Sequence, residues 1–293
     1  MMEVVALLTE GAAAGGNEDT VGWCGDAGTG AAWVVDGATG VAGRTYVAAP
    51  ADGSDAAWYA RRLGRALAMQ PPGGDLPRTM AGAIADVAAQ WAAVAEPDVP
   101  TYGLPSAAVA YVRWQGGVLS YAGLGDCSVL VRAGRGAARP LGPAGVSKAE
   151  VALNAAVRRL QDEGVSDPEA RREALMDRLR SARGRMNRPG GYWIFSIEPA
   201  AADHLNLDGI RLADADPDGA GGHVLLATDG FYRLVDPYGL YDPDGLVQAA
   251  VDKGLDALYA ELRAVEAADA DCRRFPRIKP ADDASAVLLR WRP

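Results

Sequence analysis

The chain has 293 residues, 49% of them apolar, which is enough for the core of one large sandwich or barrel. Its formal net charge of −9 argues against nucleic acid as the main partner, because a phosphate backbone calls for a basic surface. Cys24, Cys127 and Cys272 are too few and too widely spaced for a metal pattern or a disulfide framework. No N-terminal signal is apparent and no apolar stretch reaches membrane length. The expectation is a cytoplasmic protein with no membrane partner.

The predicted elements begin with a short apolar strand at Val4 to Leu8 and a Gly/Ala-rich loop at Gly11 to Gly16. Ala31 to Val35 reads as a buried strand with Asp36 directly at its end. Ser54 suits the N-cap of a helix from Asp55 to about Met69, stopped by Pro71-Pro72-Gly73-Gly74. A second helix is expected over Arg78 to Ala95, since Met80, Ile84, Val87, Trp91 and Val94 recur at helical spacing. Ala107 to Trp114 and Val118 to Ala122 are strands joined by a Gln115-Gly116-Gly117 turn. Ser128 to Ala133 is a further strand, entered through Gly125-Asp126. Capping boxes at Ser147 to Glu150 and Ser166 to Glu169 predict two Arg-bearing helices, ending near Leu160 and Met186. Tyr192 to Ile197, His223 to Thr228 and Ser285 to Trp291 read as strands, with two helices between Asp244 and Ala268. This order is not the regular alternation of a doubly wound sheet; it predicts an α+β fold of two packed sheets with helices outside.

Four acidic motifs punctuate these elements: Asn17-Glu18-Asp19, Asp36-Gly37, Ala227-Thr228-Asp229-Gly230-Phe231 and Asp282-Asp283-Ala284-Ser285. Carboxylates at strand ends can converge on one point from distant parts of a sequence. Oxygen-only ligands suit Mg²⁺ or Mn²⁺, and a pair of such ions is a device for phosphoryl hydrolysis. Taken singly, an Asp before Gly is usually a turn residue, and Asp26 and Asp283 read as solvated neighbours. His204 and His223 are too few for a zinc site or a catalytic triad, and no Gly-Lys-Ser/Thr phosphate loop is present. Trp58, Trp91 and Trp114 read as core.

As an ordered set, these motifs and the Gly125-Asp126 hairpin expected between strands resemble those of the PP2C-type metal-dependent protein serine/threonine phosphatases. The resemblance implies one domain over 1–293, a four-layer αββα sandwich of two antiparallel sheets flanked by helices, with a helical insertion at about 146–186. It implies a binuclear Mg²⁺/Mn²⁺ centre that activates water for in-line attack on phosphoserine or phosphothreonine in a protein. Carried over, Asp36 bridges the ions, the Gly37 carbonyl ligates one, Asp229 and Asp282 complete the second, and Glu18 and Asp19 hold waters bound to them. Asp126 matches the acidic residue that helps hold a third ion.

The chain departs from that pattern in several places. No Arg precedes Asn17 in the stretch from Glu10 to Gly16, where the family grips substrate phosphate. Arg44, or one of Arg183, Arg185 and Arg188, is the candidate replacement. Arg233 stands where many members carry an acid, and Ala38 where some keep a His. These departures leave two alternatives: a pseudophosphatase that binds or senses without turnover, and a phosphatase for small phosphoesters.

Overall fold

The computed structural model describes residues 1–12, 16–47, 51–71, 73–143 and 148–293, the side chains of 148–150 excepted. The Gly/Ala-rich loop, Pro72 of the helix stop and the Ser147 capping box fall wholly or partly outside the described residues. The strands are β1 (Met2–Glu10), β2 (Asp19–Gly25), β3 (Thr29–Gly37), β4 (Ala107–Gln115), β5 (Val118–Leu124), β6 (Ser128–Ala133), β7 (Arg139–Pro140), β8 (Asn206–Arg211), β9 (Gly222–Ala227) and β10 (Ala284–Trp291). They form two antiparallel five-stranded sheets, in the orders β1-β10-β9-β6-β7 and β2-β3-β4-β5-β8.

Side chains alternate across a strand, and that alternation builds three apolar layers. From β3 and β4, Ala32, Val34, Ala110 and Val112 face the other sheet and meet Val129, Leu226 and Val287. The intervening Trp33, Val35, Val109 and Tyr111 face outward onto two helices, α1 (Asp55–Met69) and α2 (Leu76–Val94). On the opposite side, Leu225, Ala286 and Leu288 pack on the helices α8 (Pro243–Lys253) and α9 (Leu255–Ala268). The result is the αββα sandwich.

Between these outer pairs run α3 (Lys148–Asp162), α4 (Pro168–Ala174), α5 (Met176–Arg183), the short α6 (Leu212–Ala215) and α7 (Asp229–Tyr232). The α3–α5 segment has a small core of its own at Ala156, Val157 and Leu175, and it reaches the sandwich through Ile278. Among the described residues no helix is long and apolar enough to cross a membrane.

Most boundaries agree with the sequence reading. Ser54 caps α1, its hydroxyl accepting the Ala57 N–H, and Trp58, Trp91 and Trp114 are buried. Several details differ. The second insertion helix is split in two at Leu175, and its cap is Asp167, which accepts the Ala170 N–H, instead of Ser166. Tyr192 to Ile197 is not a strand; only isolated bridges, Ala107 to Phe195 and Met186 to Tyr192, tie it down. β2, β8 and the two-residue β7 were not foreseen. β8 has a polar, exposed sequence at a sheet edge, where no apolar alternation is needed. Gly125-Asp126 is not a hairpin turn: it carries the chain from β5 in one sheet to β6 in the other. Gly125 has φ +93°, and a Cβ there would stand 2.4 Å from the Ala108 Cβ, so only glycine fits this crossover.

Candidate metal and phosphate site

Asp36 continues the alternation of Ala32 and Val34, so its side chain points between the sheets at the end of β3. Directly across the ladder stands Asp19. Such cross-strand neighbours lie side by side on one face, where like charges repel. Gly37 is fixed by contact as well as by register. Its N–H donates to the Glu18 carbonyl at 3.1 Å, and a Cβ would come within 2.4 Å of that oxygen. Asp229 opens α7 immediately after β9, while Asp126 enters from the crossover between the sheets.

These acids converge. Asp36, Asp126, Asp229 and Asp282 all line one cavity of about 300 Å³, with the Gly37 backbone beside them. Asp19 lies behind it, 5% exposed, and accepts a 2.9 Å hydrogen bond from the Thr228 hydroxyl. Burial, then Asp229, Asp19 and Asp126, push the Asp36 carboxyl well above the usual range. Burial, opposed by the Thr228 hydrogen bond and reinforced by Asp229 and Asp282, does the same to Asp19. Carboxylates forced together without a matching cation are the electrostatic counterpart of a metal site.

Asp282 is different. Burial works against its charge, but Lys279 and Arg233 outweigh burial and hold its carboxyl below the usual range. Lys279 Nζ donates to Oδ1 at 2.9 Å and Arg233 Nη2 to Oδ2 at 2.7 Å. The Asp283 N–H adds a third donor to Oδ1 at 3.2 Å. Lys279 also reaches the Thr39 hydroxyl at 2.8 Å, and Thr39 in turn donates to Glu18. Glu18 further accepts the Ser54 hydroxyl at 2.6 Å. Thus Glu18 lies beside the cavity, held by two hydroxyls. Asp283 is no solvated neighbour: it accepts the Ala12 N–H at 2.8 Å and the Glu18 N–H at 2.7 Å, which fixes the approach to β2.

Among the described residues no three His, Cys, Asp or Glu side chains are grouped closely enough to hold a metal ion by themselves. The donor chemistry still fits one divalent ion at Asp36 and Asp229, where the set is all oxygen and three other acids crowd Asp36. Lys279 and Arg233 act on these two carboxylates only through space, without the direct pairing they make at Asp282. It does not fit a second ion at Asp282, whose oxygens are already met by two cations.

Arg44 turns away from the cavity, pairs with Glu96 and stacks on Tyr46. The arginines on the cavity wall are Arg172, from α4, and Arg183, from α5. Arg183 is positioned by the Ser106 hydroxyl at 3.1 Å and the Thr39 carbonyl at 3.3 Å. The sequence named Arg183 within a cluster of three; Arg188 instead bonds the Thr101 hydroxyl. Lys279 and Arg172 were not foreseen. One signal was in reach: Lys279 is among only three lysines in a chain with 29 basic residues, and it stands three positions before Asp282.

No protein-family profile and no curated protein matches the sequence. Solved structures do. The Mycobacterium tuberculosis serine/threonine phosphatase PstP/Ppp shares 19% identity over 100% of this chain and 99% of its own, at TM-score 0.54. The S. agalactiae serine/threonine phosphatase shares 15% over 99% of each chain, at 0.52. The catalytic domain of PstP in complex with two manganese ions shares 17%, covering 98% of this chain and 97% of its own, at 0.51. The chain therefore has the fold of the PP2C-type serine/threonine phosphatases over its full length.

Proposed function

We propose that the protein is a metal-dependent phosphatase acting on phosphoserine or phosphothreonine in cytoplasmic proteins. The observation that carries this is the meeting of Asp36, Asp229 and Asp126 with Arg183 and Arg172 around one cavity. Acids gather on its floor and guanidinium groups stand on its wall, as a phosphate monoester beside a cation requires. A divalent ion held by Asp36 and Asp229 would supply a Lewis acid and a more acidic water.

The chain's own residues do the rest. Arg183 is preorganised by Ser106 and Thr39, and its planar fork suits two phosphoryl oxygens at once. Asp19, held by Thr228 behind the cavity, and Glu18, held by Ser54 and Thr39 beside it, are acceptors that would orient water next to the ion. Leu179 and Ile194 line the same cavity and limit bulk water. The phosphoprotein reading draws further support from the solved neighbours, which are serine/threonine phosphatases.

Replacing Arg183 with Ala is expected to raise KM for a phosphopeptide by about tenfold to a hundredfold, the worth of a charge-assisted hydrogen bond of roughly 1.5–3 kcal/mol. Steady-state kinetics at saturating Mn²⁺ would check it, and an unchanged KM would remove Arg183 from the phosphate site.

A second reading is a pseudophosphatase, a binding module with this fold. The pairing of Asp282 with Lys279 and Arg233 favours it. Mn²⁺-dependent release of phosphate from para-nitrophenyl phosphate and from a phosphothreonine peptide separates the readings. Turnover that EDTA stops supports the enzyme, with preference for the aryl ester pointing to small phosphoesters. Peptide binding without turnover supports the module.

A further inference from the structure

Asp282 is held as one member of an ion network. Arg233 lies between its Oδ2 and Glu266, a residue only 4% exposed, at 2.7 and 3.4 Å. The Tyr238 hydroxyl donates to the same Glu266 oxygen as Arg233, and Arg263 occupies the other. Arg263 also donates to the Asp282 carbonyl at 2.6 Å. Swinging Arg233 away would therefore take one of two guanidinium partners from buried Glu266, at a cost. On the other oxygen, Lys279 bridges Asp282 to Thr39 at 2.9 and 2.8 Å, and it lines the same cavity as Asp36 and Asp229.

An ammonium is a compact point charge with three donors. Two are committed here, to Asp282 and Thr39, which leaves one for a phosphoryl oxygen in the cavity. A divalent ion bound through Asp282 would have to sit against this ammonium and the Arg233 guanidinium. Both oxygens already have cationic partners, and like charges that close repel strongly.

We propose that this centre works with one divalent ion, at Asp36 and Asp229, and that the Lys279 ammonium stands in place of a second. The idea rests on reading the cavity as a phosphatase site. It also gives Lys279 a role that no acidic motif contains: a fixed positive charge opposite the ion, across the phosphoryl group.

The test counts ions in the 293-residue chain. Mn²⁺ bound per chain is measured by equilibrium dialysis with elemental analysis, and the electron paramagnetic resonance spectrum reports whether two Mn²⁺ ions are coupled. The wild type is expected to hold one tight ion with an uncoupled six-line spectrum. Lys279→Met is expected to admit a second ion and show coupling, whereas Lys279→Arg, which keeps the charge, stays at one. Lys279 is partly exposed, and circular dichroism of both variants establishes that they fold. Two coupled ions in the wild type, or one ion in a folded Lys279→Met, would overturn the inference and leave the phosphatase reading standing. No tight ion in any of the three proteins would remove the metal site itself, and the proposed function with it.

Discussion

Asp36→Asn is expected to lower metal-dependent hydrolysis by about a hundredfold to a thousandfold, the loss typical when one preorganised electrostatic partner is removed. The same substitution should make the metal-free protein more stable. Both effects have one cause. Asp36 faces Asp19 across the β2–β3 ladder and has the Asp229 carboxylate close by, so its charge is opposed from two sides. In the absence of an ion that crowding is a cost to folding. Asparagine keeps the size and removes the charge. The thermal midpoint in EDTA should therefore rise, while the stabilisation gained on adding Mn²⁺ should shrink, because less binding free energy is available to the folded state. A variant that melts lower in EDTA than the wild type, or that retains its Mn²⁺ stabilisation, would contradict this account of Asp36. The paired readout matters because a merely misfolded variant would lose activity and stability together.

The parts of this site that were legible in the sequence are those set by local pattern. Ala31 to Val35 is an apolar run that ends in Asp36, so a strand with a carboxylate at its tip could be read directly. The Thr228-Asp229 motif at the end of β9 is legible for the same reason. β2 was not legible, because Gly22 and Gly25 break its pattern. The reason for Gly22 is tertiary: a Cβ there would stand 2.5 Å from the Trp33 ring on the next strand. The cations on Asp282 were also hidden. Arg233 is far from Asp282 in sequence and meets it only because β9 and β10 are neighbours in one sheet. The choice of Arg183 over its neighbours depends on how α5 docks beside Thr39 and Ser106, which no periodicity encodes. Local motifs thus announced the acids, and packing decided which cations answer them.

The second large effect is expected at the loop that delivers Lys279 and Asp282. Arg277 and Asp269 form a buried pair, 4% and 6% exposed, with Arg277 Nη1 donating to Asp269 Oδ2 at 2.5 Å. Asp269 also accepts the Arg274 and Phe275 N–H groups, at 2.9 and 3.1 Å. Arg277 spends its remaining donors on the Asp269, Phe275 and Pro280 carbonyls. Asp269→Ala leaves the buried guanidinium without its counter-ion, so the loss should be about 3–5 kcal/mol at neutral pH. The pH dependence gives the effect a sign. Burial pushes the Asp269 carboxyl up, but the Arg274 N–H, Arg277 and the Phe275 N–H together hold it below the usual range. A depressed folded pKa means that the unfolded chain takes up the proton first. The contribution is complete above the unfolded value of about 3.9 and drains away as pH falls toward the folded one. Urea denaturation of wild type and variant should therefore show a constant gap from pH 6 to 8 that narrows below about pH 4. A gap that is the same at pH 3.5 and pH 7 would mean that Asp269 contributes through packing alone. Since Arg277 fixes the Pro280 carbonyl next to Lys279, a folded Asp269→Ala should also loosen the Lys279–Asp282 bridge, which makes this loop the mechanical link between stability and the charge placed at the site.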